Sequence, residues 1–295
     1  MAETIAFIGL GNMGLPMASN LVKAGYQVQG FDVVAAANEA AVKAGIKTAA
    51  SAAEAVQGAG VAISMLPNGK LVRELYGSGI LQAVEPGTLF IDSSTIDVAS
   101  ARDAHALAEA ARMASLDAPV SGGVGGAAAG TLTFMAGGEP EAFARALPLL
   151  EVMGKKIVHC GGAGAGQAAK ICNNMILGIS MIAVGEAFVL AEKLGLSHQA
   201  LFDVASTASG QCWSLTTYCP VPGPVPTSPA NNDYKPGFAA ALMLKDLLLS
   251  QEAADASGAT TALGKHAAEL FQSFVAAGHG GTDFSGIINA IRSAS

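Results

Sequence analysis

The sequence has little charge. Only 13% of its 295 residues are Asp, Glu, Lys or Arg, against about 25% in an average soluble protein. Disordered chains combine high charge with low hydrophobicity, whereas 51% of the residues here are hydrophobic. The composition therefore excludes a disordered chain, and the length is that of about two globular domains.

Clusters of basic residues are missing as well. The 16 basic and 23 acidic residues give a formal net charge of −7, and no group of Lys or Arg could follow a phosphate backbone. We therefore expect no nucleic-acid partner. The uncharged stretch 118–138 contains seven glycines, a composition unsuited to a membrane-spanning helix. No basic or Arg-rich targeting segment opens the chain, so we expect no membrane association and a cytoplasmic location.

The cysteines and histidines lack the spacing of a metal site. There are four cysteines without a Cys-x-x-Cys pair: Cys160, Cys172, Cys212 and Cys219. The five histidines are scattered, and none has a ligand spacing with Cys, Asp or Glu. We predict no metal, interpret the histidines as structural or exposed, and interpret the cysteines as free thiols of a reducing compartment.

Glycine is abundant, with 36 residues. In the first half, short apolar runs alternate with helical patterns. Strands are predicted at 4–8, 27–31, 61–66, 88–91, 113–116, 131–135 and 156–160, with helices at 16–24, 35–43, 52–57, 97–112 and 139–153. Strands that alternate with helices predict an α/β fold with a parallel, doubly wound sheet.

The second half of the sequence is helical throughout. Helices are predicted at 165–194, 197–208, 238–257, 260–277 and 283–293. We place the domain boundary near residue 163, which gives an α/β domain over 1–163 and an all-α domain over 164–295. Residues 220–236 hold six of the twelve prolines and predict a long loop that is either functional or mobile.

A glycine-rich turn follows the first predicted strand. The segment Gly9-Leu10-Gly11-Asn12-Met13-Gly14 leads directly into a predicted helix. In a Gly-x-Gly-x-x-Gly turn the first glycine allows the tight turn, the second lets backbone approach a pyrophosphate, and the third permits helix–strand packing. The helix N-terminus adds free N–H groups and a positive dipole end. We therefore interpret 1–163 as a Rossmann-type dinucleotide-binding domain.

The residue at the end of the second predicted strand favours NAD over NADP. Asp32 lies 18 residues after Gly14, close to the spacing of about 20 at which an acid binds the adenosine ribose. A carboxylate there repels a 2′-phosphate, and Val33 and Val34 stand where an NADP site tends to have arginine. The alternative is a glycine turn that binds no ligand.

Five motifs resemble those of the β-hydroxyacid dehydrogenases, in the same order. They are the segments 7–17, 65–67, 92–95, 117–123 and 166–174, followed by Lys245-Asp246-Leu247. The resemblance covers nearly the whole chain and implies an NAD-dependent oxidoreductase acting on a small β-hydroxy acid. We expect the cofactor contacts to be Gly9, Leu10, Gly11, Asn12, Met13, Asp32, Leu66, Pro67, Thr95 and Lys245.

One lysine lies on an otherwise apolar predicted helix. Lys170 is spaced by three and four residues from Gln167, Asn173 and Asn174, so these side chains are expected on one helix face. Burial disfavours the ammonium form, which suits a lysine to proton exchange near neutral pH. The resemblance makes Lys170 the catalytic acid/base and Asn174 a substrate contact. The alternative is a surface lysine whose stem covers apolar neighbours.

Two further motifs have both functional and structural interpretations. Consecutive glycines after a strand let backbone N–H groups converge on an anion, and the resemblance implies that Ser121-Gly122-Gly123 binds the substrate carboxylate. Ser94 or Thr95 could cap the helix predicted near 97, while the resemblance implies a cofactor contact at Thr95.

The remaining candidate residues are in the helical half. By resemblance Lys245 reaches the nicotinamide end of the cofactor and Asp246 the substrate pocket; the alternative is an ordinary charged pair on a helix surface. Trp213, the only tryptophan, and Tyr218 are expected as walls of that pocket, and a core tryptophan is the alternative.

Residues 212–223 most resemble one branch of this family, and that resemblance implies a methyl-branched β-hydroxy acid as substrate. Cys219 stands where that pattern has Asn. The alternatives are relatives acting on L-serine or tartronate semialdehyde, or a dinucleotide-binding regulator without catalysis. The long apolar helix predicted at 165–194 indicates an interface in a homodimer or homotetramer.

Overall fold

The computed structural model describes residues 3–294, which form two compact units, one ending at Lys170 and the other beginning at Ile171. The strands all belong to the first unit. They are β1 (Thr4–Ile8), β2 (Gln27–Phe31), β3 (Lys47–Thr48), β4 (Val61–Ser64), β5 (Leu89–Asp92), β6 (Ala114–Asp117), β7 (Val120–Ser121), β8 (Leu132–Gly138) and β9 (Gly154–Gly161).

Helices connect these strands and form the second unit. Those of the first unit are α1 (Gly14–Lys23), α2 (Ala35–Lys43), α3 (Ala52–Ala55), α4 (Gly69–Gly77), α5 (Val98–Ala110), α6 (Gly123–Ala129) and α7 (Pro140–Met153). The long helix α8 (Ala165–Lys193) begins in the first unit and continues into the second. There it is followed by α9 (His198–Ala205), α10 (Trp213–Thr216), α11 (Ala240–Ser257), α12 (Ala262–Phe274) and α13 (Ile287–Ser293).

The sheet has the parallel, doubly wound arrangement that the sequence predicts. Its order is β3-β2-β1-β4-β5-β6-β8-β7, with β9 paired to β8, and β1 to β6 are all parallel. Parallel strands present their carboxyl ends at one edge of the sheet, where ligands of this fold class bind. The polar turns after β1, β2, β4, β5 and β6 consequently meet at that edge.

The prediction of a parallel sheet is wrong at β8, which is antiparallel to β6 and β7. The two short strands share one register, because Leu116 pairs with Gly138 and Val120 pairs with Phe134. β6 and β7 therefore form one continuous edge along β8, interrupted at Pro119, which has no N–H for a ladder hydrogen bond. Helix α6 therefore closes a hairpin and makes no crossover. Gly125 and Gly126 are part of that helix.

The core of the first unit lies on both faces of the sheet. Ile5 and Phe7 of β1 belong to one hydrophobic cluster, while the intervening Ala6 and Ile8 belong to the other. This alternation is the period of two expected for a strand. Because helices cover both faces, the central strands β4 and β5 are apolar up to their last residues, Ser64 and Asp92, as is typical of parallel sheets.

The second unit packs its helices around two hydrophobic clusters. One contains Met243, Leu247 and Phe271, and the other includes Phe188 and Ile288. Helix α8 is long and apolar enough by composition to cross a membrane, because an 18-residue stretch of it has a mean hydropathy of 1.8. Half of that stretch, however, is buried within the protein. Such burial is typical of a core helix.

The proline-rich segment 220–236 is packed and hydrogen-bonded, which favours the alternative of an ordered, functional loop. Asn231 accepts a hydrogen bond from the Gly223 N–H at 2.9 Å and donates to the Val225 carbonyl at 2.8 Å. The Tyr234 hydroxyl donates to the Pro220 carbonyl at 2.8 Å. Side chains at 221, 225 and 230 are buried. Side-chain amides here replace the backbone pairing that prolines cannot make.

Candidate active site

The glycine turn links β1 to α1 at the carboxyl edge of the sheet. Gly9 has φ of +92°, a conformation that only glycine adopts without strain, and its N–H donates to the Phe31 carbonyl at 2.9 Å. A Cβ on Gly14 would overlap the Gly9 carbonyl, whereas a Cβ on Gly11 would have no protein atom within 4 Å. Gly9 and Gly14 thus serve the fold, and Gly11 leaves open space in front of the turn.

Asp32 closes the turn from β2. Its Oδ2 accepts the Leu10 N–H at 2.7 Å and its Oδ1 accepts the Val34 N–H at 2.8 Å. Each carboxylate oxygen retains a lone pair for a ribose hydroxyl. The neighbouring Val33 is 89% exposed and offers no charge to a 2′-phosphate. These residues therefore fit the adenosine end of NAD.

The segments after β4 and β5 lie beside each other at the same edge. The Leu66 N–H donates to Ser94 Oγ at 2.8 Å, and Ser94 Oγ donates to Asp92 Oδ1 at 2.6 Å. Pro67 and Thr95 directly follow these contacts; Pro67 is exposed and Thr95 is half-buried. The prediction that Ser94 or Thr95 caps α5 is wrong, because Asp97 accepts the Ser100 N–H at 2.7 Å. Ser94 instead joins two strand ends.

The Ser121-Gly122-Gly123 segment lies between β7 and α6. Gly122 and Gly123 have φ of +135° and +63°, conformations that side chains rarely adopt. Ser121 is half-buried at the end of its strand. The two glycines have no side chains that could cover their consecutive backbone N–H groups. Such a segment fits an anion-binding turn.

Helix α8 presents three polar side chains from a buried face. Gln167 is fully buried, Lys170 is 6% exposed and Asn174 is 2% exposed, at the spacing of three and four that places residues on one face. The interpretation of Lys170 as a surface lysine is therefore wrong. Asn173, predicted on the same face, is exposed, because a position next to Asn174 is rotated about 100° around the helix.

In the second unit, Asn174 and Asp246 form a buried polar pair. The Asn174 amide donates to Asp246 Oδ2 at 2.5 Å, and the Lys245 ammonium lies 3.5 Å from Asp246 Oδ1. Asp246 is 3% exposed, so the alternative of an ordinary surface pair is wrong for this residue. The carboxylate orients the Asn174 amide, which leaves its carbonyl oxygen to accept from Asn173 at 2.9 Å.

Trp213 and Tyr218 form an aromatic stack with ring centroids 5.0 Å apart. Trp213 is 49% exposed, so the core-tryptophan alternative is wrong. The Tyr218 hydroxyl donates to Asp283 Oδ2 at 2.9 Å. Burial is the main cause, and the nearby Asp283 carboxylate the second, that raises the pKa of Tyr218 far above its usual value. Cys219, the departure from the family pattern, is fully buried in the apolar core.

Three buried carboxylates were not predicted as site residues from the sequence. Asp92 and Asp117 end adjacent strands at the carboxyl edge, and Asp283 accepts from Tyr218 as well as from the Gly237 and Phe238 N–H groups. An acid that ends an apolar strand could have revealed the first two. Asp283 also accepts from the N–H and hydroxyl of Ser285, two residues away. No local pattern marks its contacts with the 218–238 region, since those partners are 45 to 65 residues away in sequence.

The buried Asp92 carboxyl group has hydrogen-bond donors for only one of its two oxygens among the described residues. Its Oδ1 accepts from the Ser64 and Ser94 hydroxyls at 2.7 and 2.6 Å, while Oδ2 has no partner among the described residues. Burial raises the pKa of Asp92 from 3.8 to about 6, partly offset by the serine hydrogen bonds.

Within residues 3–294 there is no cluster of three or more His, Cys, Asp or Glu side chains that could hold a metal ion. The glycine turn, the acid that follows β2 and the sheet edge define the first unit as the dinucleotide-binding part of an oxidoreductase.

The comparisons with known proteins agree with that class. Residues 4–162 match the family described as the NAD binding domain of 6-phosphogluconate dehydrogenase. Residues 164–291 match the family described as NAD-binding of NADP-dependent 3-hydroxyisobutyrate dehydrogenase. The chain is 60% identical to a probable 3-hydroxyisobutyrate dehydrogenase of Mycobacterium tuberculosis over 98% of each chain. It is 50% identical to an NAD-dependent L-serine dehydrogenase of Pseudomonas aeruginosa over 96% of each.

The solved structures give the same answer. A structure of Mycobacterium tuberculosis 3-hydroxyisobutyrate dehydrogenase with L-serine superposes with a TM-score of 0.96 at 59% identity, covering 99% of this chain and 100% of that one. The chain belongs to the β-hydroxyacid dehydrogenase family. It is an NAD-binding oxidoreductase, with an N-terminal Rossmann-type domain followed by a helical domain.

Substitutions at two glycines of the turn should separate folding from cofactor binding. Gly14→Ala should lower the free energy of unfolding by about 1–3 kcal/mol, because its Cβ overlaps backbone. Gly11→Ala should fold normally and bind NAD roughly tenfold more weakly, or about 1.4 kcal/mol, because its Cβ enters the space before the turn. Thermal melts and fluorescence titration with NADH measure both; unchanged NADH affinity in Gly11→Ala would contradict the assignment.

The buried Asp92 should make stability depend on pH. Its folded pKa of about 6 lies above 3.8, so the folded state holds the proton longer and stability falls as pH rises from about 4 to about 6. The loss is on the order of 3 kcal/mol. Urea unfolding of wild type and Asp92→Asn at several pH values measures it, and other groups cancel in the difference. Parallel stability profiles of the two proteins would rule this out.

Proposed function

We propose that this enzyme oxidises the primary alcohol of 3-hydroxyisobutyrate to methylmalonate semialdehyde with NAD, as a step of valine breakdown. The observation that carries the proposal is Lys170, a buried lysine on an apolar helix, one turn before Asn174 on the same face. The names of the relatives that are 60% and 50% identical support this substrate.

The reaction needs a group that takes the hydroxyl proton while the alcohol carbon loses its hydride. NAD supplies the hydride acceptor when it is bound. In the proposed mechanism the neutral Lys170 amine accepts the proton from the alcohol oxygen, and in the reverse direction the ammonium returns it to the aldehyde oxygen. Burial suits this role, because it destabilises a permanent ammonium and keeps water from competing for the proton.

The substrate has a second recognisable group, its carboxylate. We propose that the Ser121 hydroxyl and the backbone N–H groups at Gly122 and Gly123 bind it. Asn174, oriented by Asp246, is proposed to hold the substrate by hydrogen bonding. The half-exposed Trp213, with Tyr218 behind it, is proposed to form an apolar wall suited to a methyl group.

The cofactor contacts are proposed from the same reasoning. The pyrophosphate would lie against the turn at 9–13, the adenosine ribose at Asp32, and the remaining contacts would come from Leu66-Pro67 and Thr95. Lys245 is proposed at the nicotinamide end. The domain assignment, 1–163 for NAD and 164–295 for substrate binding and oligomerisation, follows these roles.

A second candidate substrate is L-serine. It shares the carboxylate and the primary alcohol but carries an ammonium where 3-hydroxyisobutyrate has a methyl group. The observation that favours it is the relative named NAD-dependent L-serine dehydrogenase, 50% identical over 96% of this chain. The preference between the two substrates depends on whether a carboxylate faces the position of this methyl or ammonium group.

We further propose a cytoplasmic homodimer or homotetramer. Several large apolar side chains of the helical unit are exposed, among them Ile176 at 63%, Leu190 at 60% and Leu263 at 69%. Large apolar side chains exposed on helices are typical of a subunit interface. Sedimentation at working concentration measures the state, and a monomer would contradict it.

An initial-rate panel tests the substrate. With NAD, kcat/KM should be highest for 3-hydroxyisobutyrate, lower for L-serine, and lower again for glycerate, the reduced form of tartronate semialdehyde. NADP should give a lower kcat/KM than NAD, because the Asp32 carboxylate repels a 2′-phosphate. Higher kcat/KM for L-serine would favour the second candidate, and better use of NADP would contradict the role of Asp32.

Substitution of Lys170 tests the mechanism. Lys170→Ala should lower kcat by roughly 10²–10⁴, the usual contribution of acid–base catalysis, while NADH still binds. Lys170→Arg keeps a long basic side chain but cannot exchange a proton at neutral pH, so it should be nearly as inactive. Lys193→Ala, in the last turn of the same helix, is the matched control with unchanged kcat. Near-normal kcat in Lys170→Arg would refute proton transfer by this residue.

A further inference from the structure

The first turn of α8 is held by a carboxylate from another element. Asp117, at the end of β6, is 1% exposed. Its Oδ1 accepts the Gly164 N–H and its Oδ2 accepts the Gln167 N–H, both at 2.8 Å. These are two of the N–H groups that a helix start leaves unpaired. Asp117 therefore caps α8 from outside the helix, where a negative charge also complements the helix dipole.

The backbone around this cap is closely packed. A Cβ on Gly166 would lie 2.6 Å from the Asp117 carbonyl oxygen, and a Cβ on Gly137 would lie 2.6 Å from Asp117 Oδ1. Real Cβ contacts are never this short, so the start of α8 packs against β6 and β8 closer than any other residue would allow. The carboxylate is thus held on a rigid support.

The cap is itself oriented by a histidine. His105 Nε2 of α5 lies 2.9 Å from Asp117 Oδ1, and its Nδ1 lies 2.7 Å from Ser115 Oγ. With the proton on Nε2, the ring donates to Asp117 and accepts from the serine hydroxyl. This chain of hydrogen bonds orients the Asp117 carboxylate.

A second set of hydrogen bonds restrains the same helical turn. The Gln167 side chain accepts the Ile96 N–H at 3.1 Å and donates to the Ser94 carbonyl at 2.7 Å. The turn is thereby tied to the segment after β5 as well as to the end of β6. Both its axial position and its rotation are set.

We propose that Asp117 is a positioning residue for catalysis: by capping α8 it places Lys170, one turn further along the helix, for proton transfer. The proposal rests on the proposed role of Lys170. Misplacement of a catalytic group by about 1 Å can cost as much as 10² in rate. A helix that shifts or frays at its first turn would carry Lys170 with it.

A double-mutant cycle tests the coupling. Asp117→Asn keeps the shape but turns an N–H donor toward one of the two backbone N–H groups. We expect kcat to fall roughly 10–100-fold, with the KM of the alcohol and the Kd of NADH changed less than about threefold. In a Lys170→Ala background the same substitution should change the residual kcat less than about twofold, because coupled residues are not additive.

Two further variants make the result decisive. Gln167→Met removes the second set of hydrogen bonds and should show the same non-additivity, which keeps the test available if Asp117→Asn folds poorly. Ser51→Ala removes an ordinary cap, the Ser51 Oγ that accepts the Glu54 N–H at 3.1 Å, and should lower the melting temperature without changing kcat.

The outcomes separate the two hypotheses. Near-normal kcat in Lys170→Ala alone would overturn the proposed function and the positioning role with it. Loss of activity in Lys170→Ala together with equal fold losses from Asp117→Asn in both backgrounds would overturn the positioning role only. So would unchanged kcat in Asp117→Asn, or a fall in kcat matched by weaker NADH binding.

Discussion

Close approach of backbone to backbone at the carboxyl edge of the sheet is the constraint on which the rest of the molecule depends. Gly14 packs on the Gly9 carbonyl, and Gly166 packs on Asp117 and the Met135 carbonyl. A single methyl group at Gly14 or Gly166 would push an element away from the edge. The first contact shapes the dinucleotide turn, and the second brings the start of α8 against the strands.

Charge is scarce in this chain, and five carboxylates, one half-buried and four buried, have separate tasks. Asp32 accepts two backbone N–H groups beside the glycine turn. Asp117 caps a helix, Asp246 orients an amide, and Asp283 gathers donors from three segments of the second unit. A buried carboxylate is costly unless donors surround it. Asp92, one oxygen of which has no hydrogen-bond partner within residues 3–294, shows that cost in its raised pKa.

Elements that depend on local pattern were predictable from the sequence. The turn from β1 to α1, the acid at Asp32 and the buried lysine at 170 follow from spacing and composition, because each requirement acts over a few residues. Strand bounds were less predictable: β6 and β8 each extend beyond the apolar run to a polar or glycine residue. Ladder hydrogen bonds with a neighbouring strand, which the local sequence does not contain, decide where they end.

The sequence by itself determined the class of fold, the dinucleotide site and the helix face that carries Lys170, since periodicity and glycine spacing are local properties of the chain. Only the tertiary structure decided that Ser94 bridges two strands, that Asp97 caps α5, that β6 and β7 form one line along β8, and that Asp117 caps α8. Each of these depends on a hydrogen bond or a register between residues distant in sequence or on a competition between neighbouring side chains. Geometry in three dimensions, and not spacing along the chain, selects the partner that is made.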